Sequence, residues 1–212
     1  MPTELIEIDR ESVDPAVIER AAGAIRQGQV VAMPTDALYV LAADPFNLHA
    51  VGRVFQAKGR ESHRSLPLLV DSLFMAEDLS ASLTARFYLL ARHFWPGPLT
   101  LIVPASAKVP LKVTGNTGRL AVRQPRASLP KRIIEELDMP IIATSANISG
   151  QPTCRRGTDV FGWMDGRVDL ILDSGLAAGE GATTVDITDP DWRVIRQGAI
   201  SEPQISEILI GE

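Results

Sequence analysis

The 212-residue chain holds a single cysteine, Cys154, so no disulfide can form within it. Its three histidines, His49, His63 and His93, stand apart at no spacing that would converge on a metal. Zinc and disulfide frameworks are excluded, and no residue is assigned as a metal ligand. No uncharged apolar run approaches the roughly 18 residues of a membrane span. The acidic stretch Met1–Arg10 lacks the basic-then-apolar order of a secretory leader. The cytoplasm is therefore the expected compartment, with no membrane partner. Basic character is also scarce: 21 Lys and Arg against 26 Asp and Glu give a formal net charge of -5. Whole-surface attraction to nucleic acid is excluded, although a local basic patch is not. Neither common nucleotide loop, G-x-x-x-x-G-K-[ST] or G-x-G-x-x-G, occurs, and the G-x-S-x-G elbow of serine hydrolases is missing too.

With 45% hydrophobic and 22% charged residues, the composition is that of a folded globular chain. Its length predicts one domain over residues 1–212. Asp14 and Pro15 open an amphipathic helix that repeats Val17, Ile18, Ala21, Ala22 and Ile25 and stops at Gly28. Val30–Met33 reads as a buried strand that Pro34 ends, delivering a loop with Thr35 and Asp36. A helix from Asn47 to Ala57, a strand over Leu66–Val70, and helices over Phe74–Leu79 and Arg86–Phe94 follow. Trp95-Pro96-Gly97-Pro98 must then break the chain before a strand at Leu99–Val103. Further strands are predicted at Leu120–Arg123, Ile141–Thr144, Leu170–Leu172, Thr183–Ile187 and Val194–Arg196. Helices are predicted at Ser128–Leu137, the first of its residues acting as a cap, at Thr158–Met164 and at Glu202–Leu209. This alternation predicts an α/β fold, α+β in character, with a twisted mixed β-sheet and flanking helices rather than a regular doubly wound sheet.

Three segments carry groups suited to chemistry. Pro34-Thr35-Asp36 presents a hydroxyl and a carboxylate at a strand end, or Asp36 caps the next turn. Lys58-Gly59-Arg60 sets a point charge and a planar fork on either side of a flexible residue, which suits a polyphosphate; a charged helix end would look the same. Thr144-Ser145-Ala146-Asn147-Ile148-Ser149-Gly150 follows an apolar strand with small hydroxyl and amide side chains that can wrap phosphate oxygens, or forms a turn. Cys154, within Pro-Thr-Cys-Arg-Arg, reads as a packed thiol and not a nucleophile. Arg155-Arg156 and Arg123-Gln124-Pro125-Arg126 could face RNA, or be solvated or ion-paired.

Taken together and in this order, Pro-Thr-Asp, Lys-x-Arg and Ser-x-Asn resemble the YrdC-like family, whose members include threonylcarbamoyl-AMP synthases of tRNA modification. The likeness runs from about Ala16 to Ile200. It takes in Trp95-Pro96-Gly97-Pro98-Leu99-Thr100, Leu120-Ala121-Val122-Arg123, Thr183-Thr184-Val185-Asp186 and Ile195-Arg196-Gln197-Gly198. The resemblance implies a fold with a large, basic concave face. It also implies a nucleotidyltransferase that makes threonylcarbamoyl-adenylate and pyrophosphate from L-threonine, bicarbonate and ATP, with Mg2+ as counter-ion and no protein nucleophile. By likeness, Lys58, Arg60, Ser145, Asn147 and Arg196 would hold ATP, Lys58 and Arg60 stabilising charge on the phosphates. Thr35, Arg123 and Thr183 would serve threonine. Asn147, assigned to a ligand and not to the core, should tolerate replacement with little loss of stability. A downstream tRNA threonylcarbamoyl transferase complex would take the product. The alternatives are a YrdC-like paralogue with another acyl adenylate as ligand, and a module binding double-stranded RNA or tRNA without adenylate chemistry.

The sequence departs from the family pattern at named positions. Relatives read Pro-Thr-(Asp/Glu)-Thr-Val-Tyr-Gly-Leu, whereas here Ala37 replaces the second Thr and Val40 the Gly. Glu61 and Ser65 stand where proline is favoured, which predicts a looser phosphate loop with a repelling carboxylate. Ala182 takes the place of a serine, leaving Thr183 as the nearest hydroxyl. The chain ends soon after the last motif, so the single-domain form is expected, without the extra C-terminal domain of longer synthases.

Overall fold

The computed structural model describes residues 2–61, 63–177 and 179–210. Strands β1 (Glu4–Glu7), β2 (Val31–Pro34), β3 (Tyr39–Ala42), β8 (Thr144–Ser145) and β9 (Leu170–Asp173) form a five-stranded sheet in the order β1-β9-β2-β3-β8. Strands β4 (Leu68–Leu69), β5 (Leu99–Pro104), β6 (Arg119–Arg123), β7 (Ile141–Ile142), β10 (Thr183–Asp186) and β11 (Arg193–Arg196) form a six-stranded one, β11-β10-β5-β6-β4-β7. Both sheets mix parallel and antiparallel pairs, as the alternation of elements predicts. The strands divide between two sheets because the segment read as one strand, Ile141–Thr144, splits. β7 pairs with β4, and β8 pairs with β3 two residues later. The chain thus crosses from one sheet to the other at Ala143, and Ser145 lies at the seam.

The helices form where capping and apolar spacing predict them. Helix α1 (Pro15–Arg26) starts where the Asp14 carboxylate accepts from the Ala16 N–H at 2.9 Å, and it buries Ile18, Ala21, Ala22 and Ile25. It packs on α6 (Ser128–Leu137), which buries Leu129, Ile133, Ile134 and Leu137 against the same cluster. Ser128 does not cap α6: it is the first helical residue, the cap position falls to Ala127, and no side chain bonds the end. Helix α2 (Leu48–Lys58) is capped by Asn47, whose side chain accepts from the N–H groups of His49 and Ala50. It ends at Gly59, whose φ of 56° suits a residue without a Cβ. Its last residue, Lys58, is thereby turned inward.

Strand alternation then sorts the six-stranded sheet into two faces. Leu99, Leu101 and Val103 on β5, Leu120 and Val122 on β6, and Val185 on β10 enter the main hydrophobic core. The residues between them, Thr100, Ile102, Ala121, Arg123 and Thr184, face the other way, and with Arg196 they floor a cavity. Register brings these floor residues side by side: Thr100 pairs with Thr184, Ile102 with Ala121, and Thr184 with Arg196.

Candidate active site

The cavity has a volume of about 450 Å³ and lies between that sheet face and the β3–β8 edge of the five-stranded sheet, where Val40 and Ser145 are register partners. Four arginines line it, Arg60, Arg64, Arg123 and Arg196, together with the hydroxyl residues Thr35, Ser65, Thr100, Thr144, Ser145 and Thr184. Among the described residues no carboxylate lines it. A chain of net charge -5 therefore concentrates cations at one concave site, the arrangement expected for a multiply charged anion.

The Arg60 Nη2 donates to the Ser65 carbonyl at 3.1 Å, and its Nη1 lies 3.4 Å from the Thr144 hydroxyl. The buried Nε has no protein partner among the described residues. Burial, with Arg64 adding to it, pushes the Arg60 pKa below its ordinary value. An anion in the cavity would relieve that cost. Arg196 is anchored by two bonds to the Ala182 carbonyl, at 3.2 and 3.0 Å. Ala182, expected as a lost hydroxyl, thus contributes its backbone, and its side chain also lines the wall.

Lys58 and Asn147 lie behind the wall and not on it. Lys58 is 3% exposed. Its ammonium donates to the carbonyls of Ser145 and Asn147 and to Asn147 Oδ1, the latter two at 2.9 and 3.2 Å. Burial lowers its pKa to about 8, with Arg60 adding to the shift and Cys154 opposing it. Asn147 Oδ1 also accepts from Ser145 Oγ at 2.6 Å, and its Nδ2 donates to the carbonyls of Ile148 and Gln151. Ser145 is the one member of this trio whose side chain reaches the cavity. Every polar atom of the Asn147 side chain is committed to the loop, so the expectation of a near-neutral Asn147 replacement does not hold. Asn147→Ala should cost about 1–3 kcal/mol, a Tm loss of roughly 3–10 °C for a chain of this size, measurable by thermal denaturation.

The turn from β2 to β3 is a closed hairpin. Thr35 Oγ1 donates to the Leu38 carbonyl at 2.8 Å and accepts from the Ala37 and Leu38 N–H groups, so the hydroxyl is spent on its own turn while the residue still lines the cavity. Val40 sits in β3 and lines the cavity wall, and Ala37 in the turn lines it too. Arg123 is 5% exposed, with Nη2 3.4 Å from Asp36 Oδ1. It is thus no part of a surface RNA patch.

Thr183 does not line the cavity. It is the register partner of Leu99 and faces the core side of the sheet at 0% exposure. Its hydroxyl donates to the Ile200 carbonyl and accepts from the Gly198 and Ile200 N–H groups. Thr184, one residue on, takes the cavity face, because side chains alternate along a strand. Glu61 points away: it is exposed, 3.5 Å from His63 Nε2, and does not line the cavity, so the expected repulsion of a bound polyphosphate has no geometric basis. The loop after Arg60, expected to be loose, is also held: Leu66 N–H donates to the Val113 carbonyl at 2.8 Å. Ser62 lies outside the described residues. Burial raises the Cys154 thiol to about 11, consistent with a packed group that takes no part in covalent chemistry. Arg64, Thr100 and Thr184 are not assigned from the sequence, although the alternation of hydroxyl residues with leucines in Leu99-Thr100-Leu101 marks a two-faced strand.

The chain matches the Sua5–YciO–YrdC family model, described as telomere recombination, over residues 23–198. It is 37% identical over 201 residues to the threonylcarbamoyl-AMP synthase of Pyrococcus abyssi, covering 94% of this chain and 59% of that protein. It is 34% identical to the threonylcarbamoyl-AMP synthase of Bacillus subtilis, with 95% of this chain and 59% of that protein covered. Among solved structures, P. abyssi Sua5 complexed with L-threonine superposes with a TM-score of 0.93 at 36% identity, over 98% of this chain and 61% of that one. The chain therefore spans about three fifths of the length of these relatives.

Proposed function

The chain belongs to the Sua5–YciO–YrdC family, and on that premise we propose that it is an L-threonylcarbamoyladenylate synthase, a nucleotidyltransferase that uses ATP. The observation that carries the reading is one cavity lined by four arginines, with no carboxylate among its described lining residues. The two named relatives described above are threonylcarbamoyl-AMP synthases, and the solved relative binds L-threonine.

In this reading the threonine amine and bicarbonate give a carbamate with loss of water. A carbamate oxygen attacks the α-phosphorus of ATP, the bond to the β-phosphate breaks, and pyrophosphate leaves. No protein nucleophile is needed, so the chain's work is alignment and charge neutralisation. Arg60 and Arg196 would meet the phosphates where negative charge grows on the leaving group. Ser145, held by Lys58 and Asn147, would offer its hydroxyl at the seam. Arg123 and the Thr35 turn would wall the amino-acid side, with Thr184 and not Thr183 as the nearby hydroxyl on the floor.

Among the described residues no group of three or more His, Cys, Asp or Glu side chains is gathered to hold a metal. With no carboxylate among the described residues that line the cavity, any Mg2+ there would ride on nucleotide oxygens. No described helix is long and apolar enough to cross a membrane. We read residues 1–212 as one domain, because β7 and β8 tie the two sheets together within five residues of chain, and place its product with the cytoplasmic tRNA-modifying transferase machinery. A cavity of about 450 Å³ suits a nucleotide and not an RNA duplex, and no observation favours the RNA-binding reading.

The deciding assay is incorporation of labelled bicarbonate into an adenylate with ATP and each amino acid in turn. Threonine-dependent product is expected. Product with another amino acid alone would make the chain a paralogue acting on that substrate, and no product at all would overturn the reading.

Ala37 and Val40 set the expected affinity. Both side chains narrow the cavity, and the family's threonine hydroxyl is absent at position 37. Ala37→Thr with Val40→Gly should tighten threonine binding about tenfold by calorimetry, the worth of one hydrogen bond. Because Val40 is a buried strand residue, the same change should lower stability by about 1–3 kcal/mol.

A further inference from the structure

Asp36 is, among the described residues, the one acidic side chain that pairs with an arginine of the cavity wall. The pairing is one-armed. Arg123 Nη2 lies 3.4 Å from Asp36 Oδ1, while Arg123 Nη1 and Asp36 Oδ2, both buried, have no protein partner among the described residues. A carboxylate and a guanidinium free to choose would align two parallel bonds. Here the backbone on both sides is held in place. The Asp36 turn is closed by the Thr35 hydroxyl, and Gly179 packs so tightly against it that a Cβ at Gly179 would collide with the Asp36 carbonyl. Arg123 is fixed at the end of β6, where its carbonyl accepts from the Val70 N–H at 3.0 Å.

We propose that Asp36 is a positioning residue that holds Arg123 to the cavity wall by one arm and so fixes the guanidinium in place for the carboxylate of the amino-acid substrate. Charge explains why the tether is needed. Burial and nearby Arg196 both disfavour the Arg123 cation, and Asp36 is the group that opposes them. Released from Asp36, the guanidinium would follow negative charge to the phosphate side of the cavity and abandon the amino acid. This rests on the synthase reading, in which the cavity takes an amino acid beside ATP.

The test compares the native protein with Asp36→Asn, which keeps shape and loses charge, and Asp36→Glu, which keeps charge. Calorimetry with L-threonine and with ATP should show threonine binding weakened about tenfold in the Asn variant, in the range of one charge-assisted hydrogen bond. ATP binding should not weaken, and KM for threonine should rise more than kcat falls. The Glu variant should recover part of the loss. Independently of any ligand, the Nε–H resonance of Arg123 in 15N spectra should exchange with water faster in the Asn variant. Threonine affinity unchanged by Asp36→Asn, or threonine and ATP affinity falling together with a large Tm loss, would overturn the proposal. A native protein that binds no threonine would overturn the synthase reading, and the tether with it only if the Arg123 resonance is also indifferent to Asp36.

Discussion

Lys58→Met is expected to melt roughly 10 °C below the native chain and to form adenylate at least about a hundredfold more slowly. Two effects oppose each other. Methionine fills much of the same space and removes the cost of burying an ammonium, on the order of 3 kcal/mol given a pKa lowered from 10.5 to about 8. Against this, the carbonyls of Ser145 and Asn147 and the Asn147 amide oxygen lose their donor, at about 1–3 kcal/mol for each buried group left unmade. The acceptors win, for a net loss of about 2–4 kcal/mol, because they lie on one tight loop that cannot turn all three toward water. The activity loss follows by geometry, since the loop that relaxes is the one carrying Ser145 to the cavity. Titration separates the two effects. Between pH 8 and 10.5 the unfolded lysine still holds a proton that the folded one has released, so the native chain gains stability as pH rises through that window. Lys58→Met has no such gain. Denaturant unfolding at pH 7 and pH 10 should therefore show the gap between the two proteins widening at the higher pH, and a constant gap would show that Lys58 is not strained by burial.

Lys58 also shows how far the sequence could be read. Its position at the end of a helix, two residues before Arg60, was plain from the apolar spacing of Val51, Val54 and Phe55 and from Gly59 as the stop. That the two cations would part, one into the loop behind the wall and the other onto it, was not legible, because it depends on where β8 passes. The same limit explains β3. Tyr39–Ala42 is a short apolar run with no alternation, indistinguishable from loop until its partners β2 and β8 are known. The acidic edge strand β1 (Glu4–Glu7) and the one-turn helix α5 (Leu111–Thr114) carried no periodic signal and were not expected. The capped helices α1 and α2, and the apolar spacing of α3 (Leu73–Asp78), α4 (Ala85–Phe94), α7 (Gly157–Met164) and α8 (Glu202–Ile210), were legible because these signals are local. Thr183 illustrates the error that non-local pairing produces. With Ala182 in place of the serine, Thr183 is the nearest hydroxyl in sequence, but one step along a strand reverses the face.

Arg60→Lys keeps the charge at the wall and should still weaken ATP binding by about 1.5–3 kcal/mol, one to two decades in Kd by calorimetry. The guanidinium is held from behind by the Ser65 carbonyl and the Thr144 hydroxyl, which fixes the plane of the fork while its Nε has no protein partner among the described residues. Such a group meets two phosphate oxygens at once with little further ordering. A lysine ammonium has no plane, cannot keep both rear bonds and face the cavity, and sits beside Arg64 and over the buried Lys58, whose charges favour its deprotonation or its swing into solvent. Raising salt should erode what binding is left faster than in the native chain, because a freely moving surface charge is screened more than a fixed buried one. Threonine binding measured without nucleotide should be unchanged, since Arg123 and the Thr35 turn are untouched. Native ATP affinity in Arg60→Lys would remove Arg60 from the phosphate site, and an equal loss of threonine and ATP affinity would mean that the substitution had disturbed the cavity as a whole.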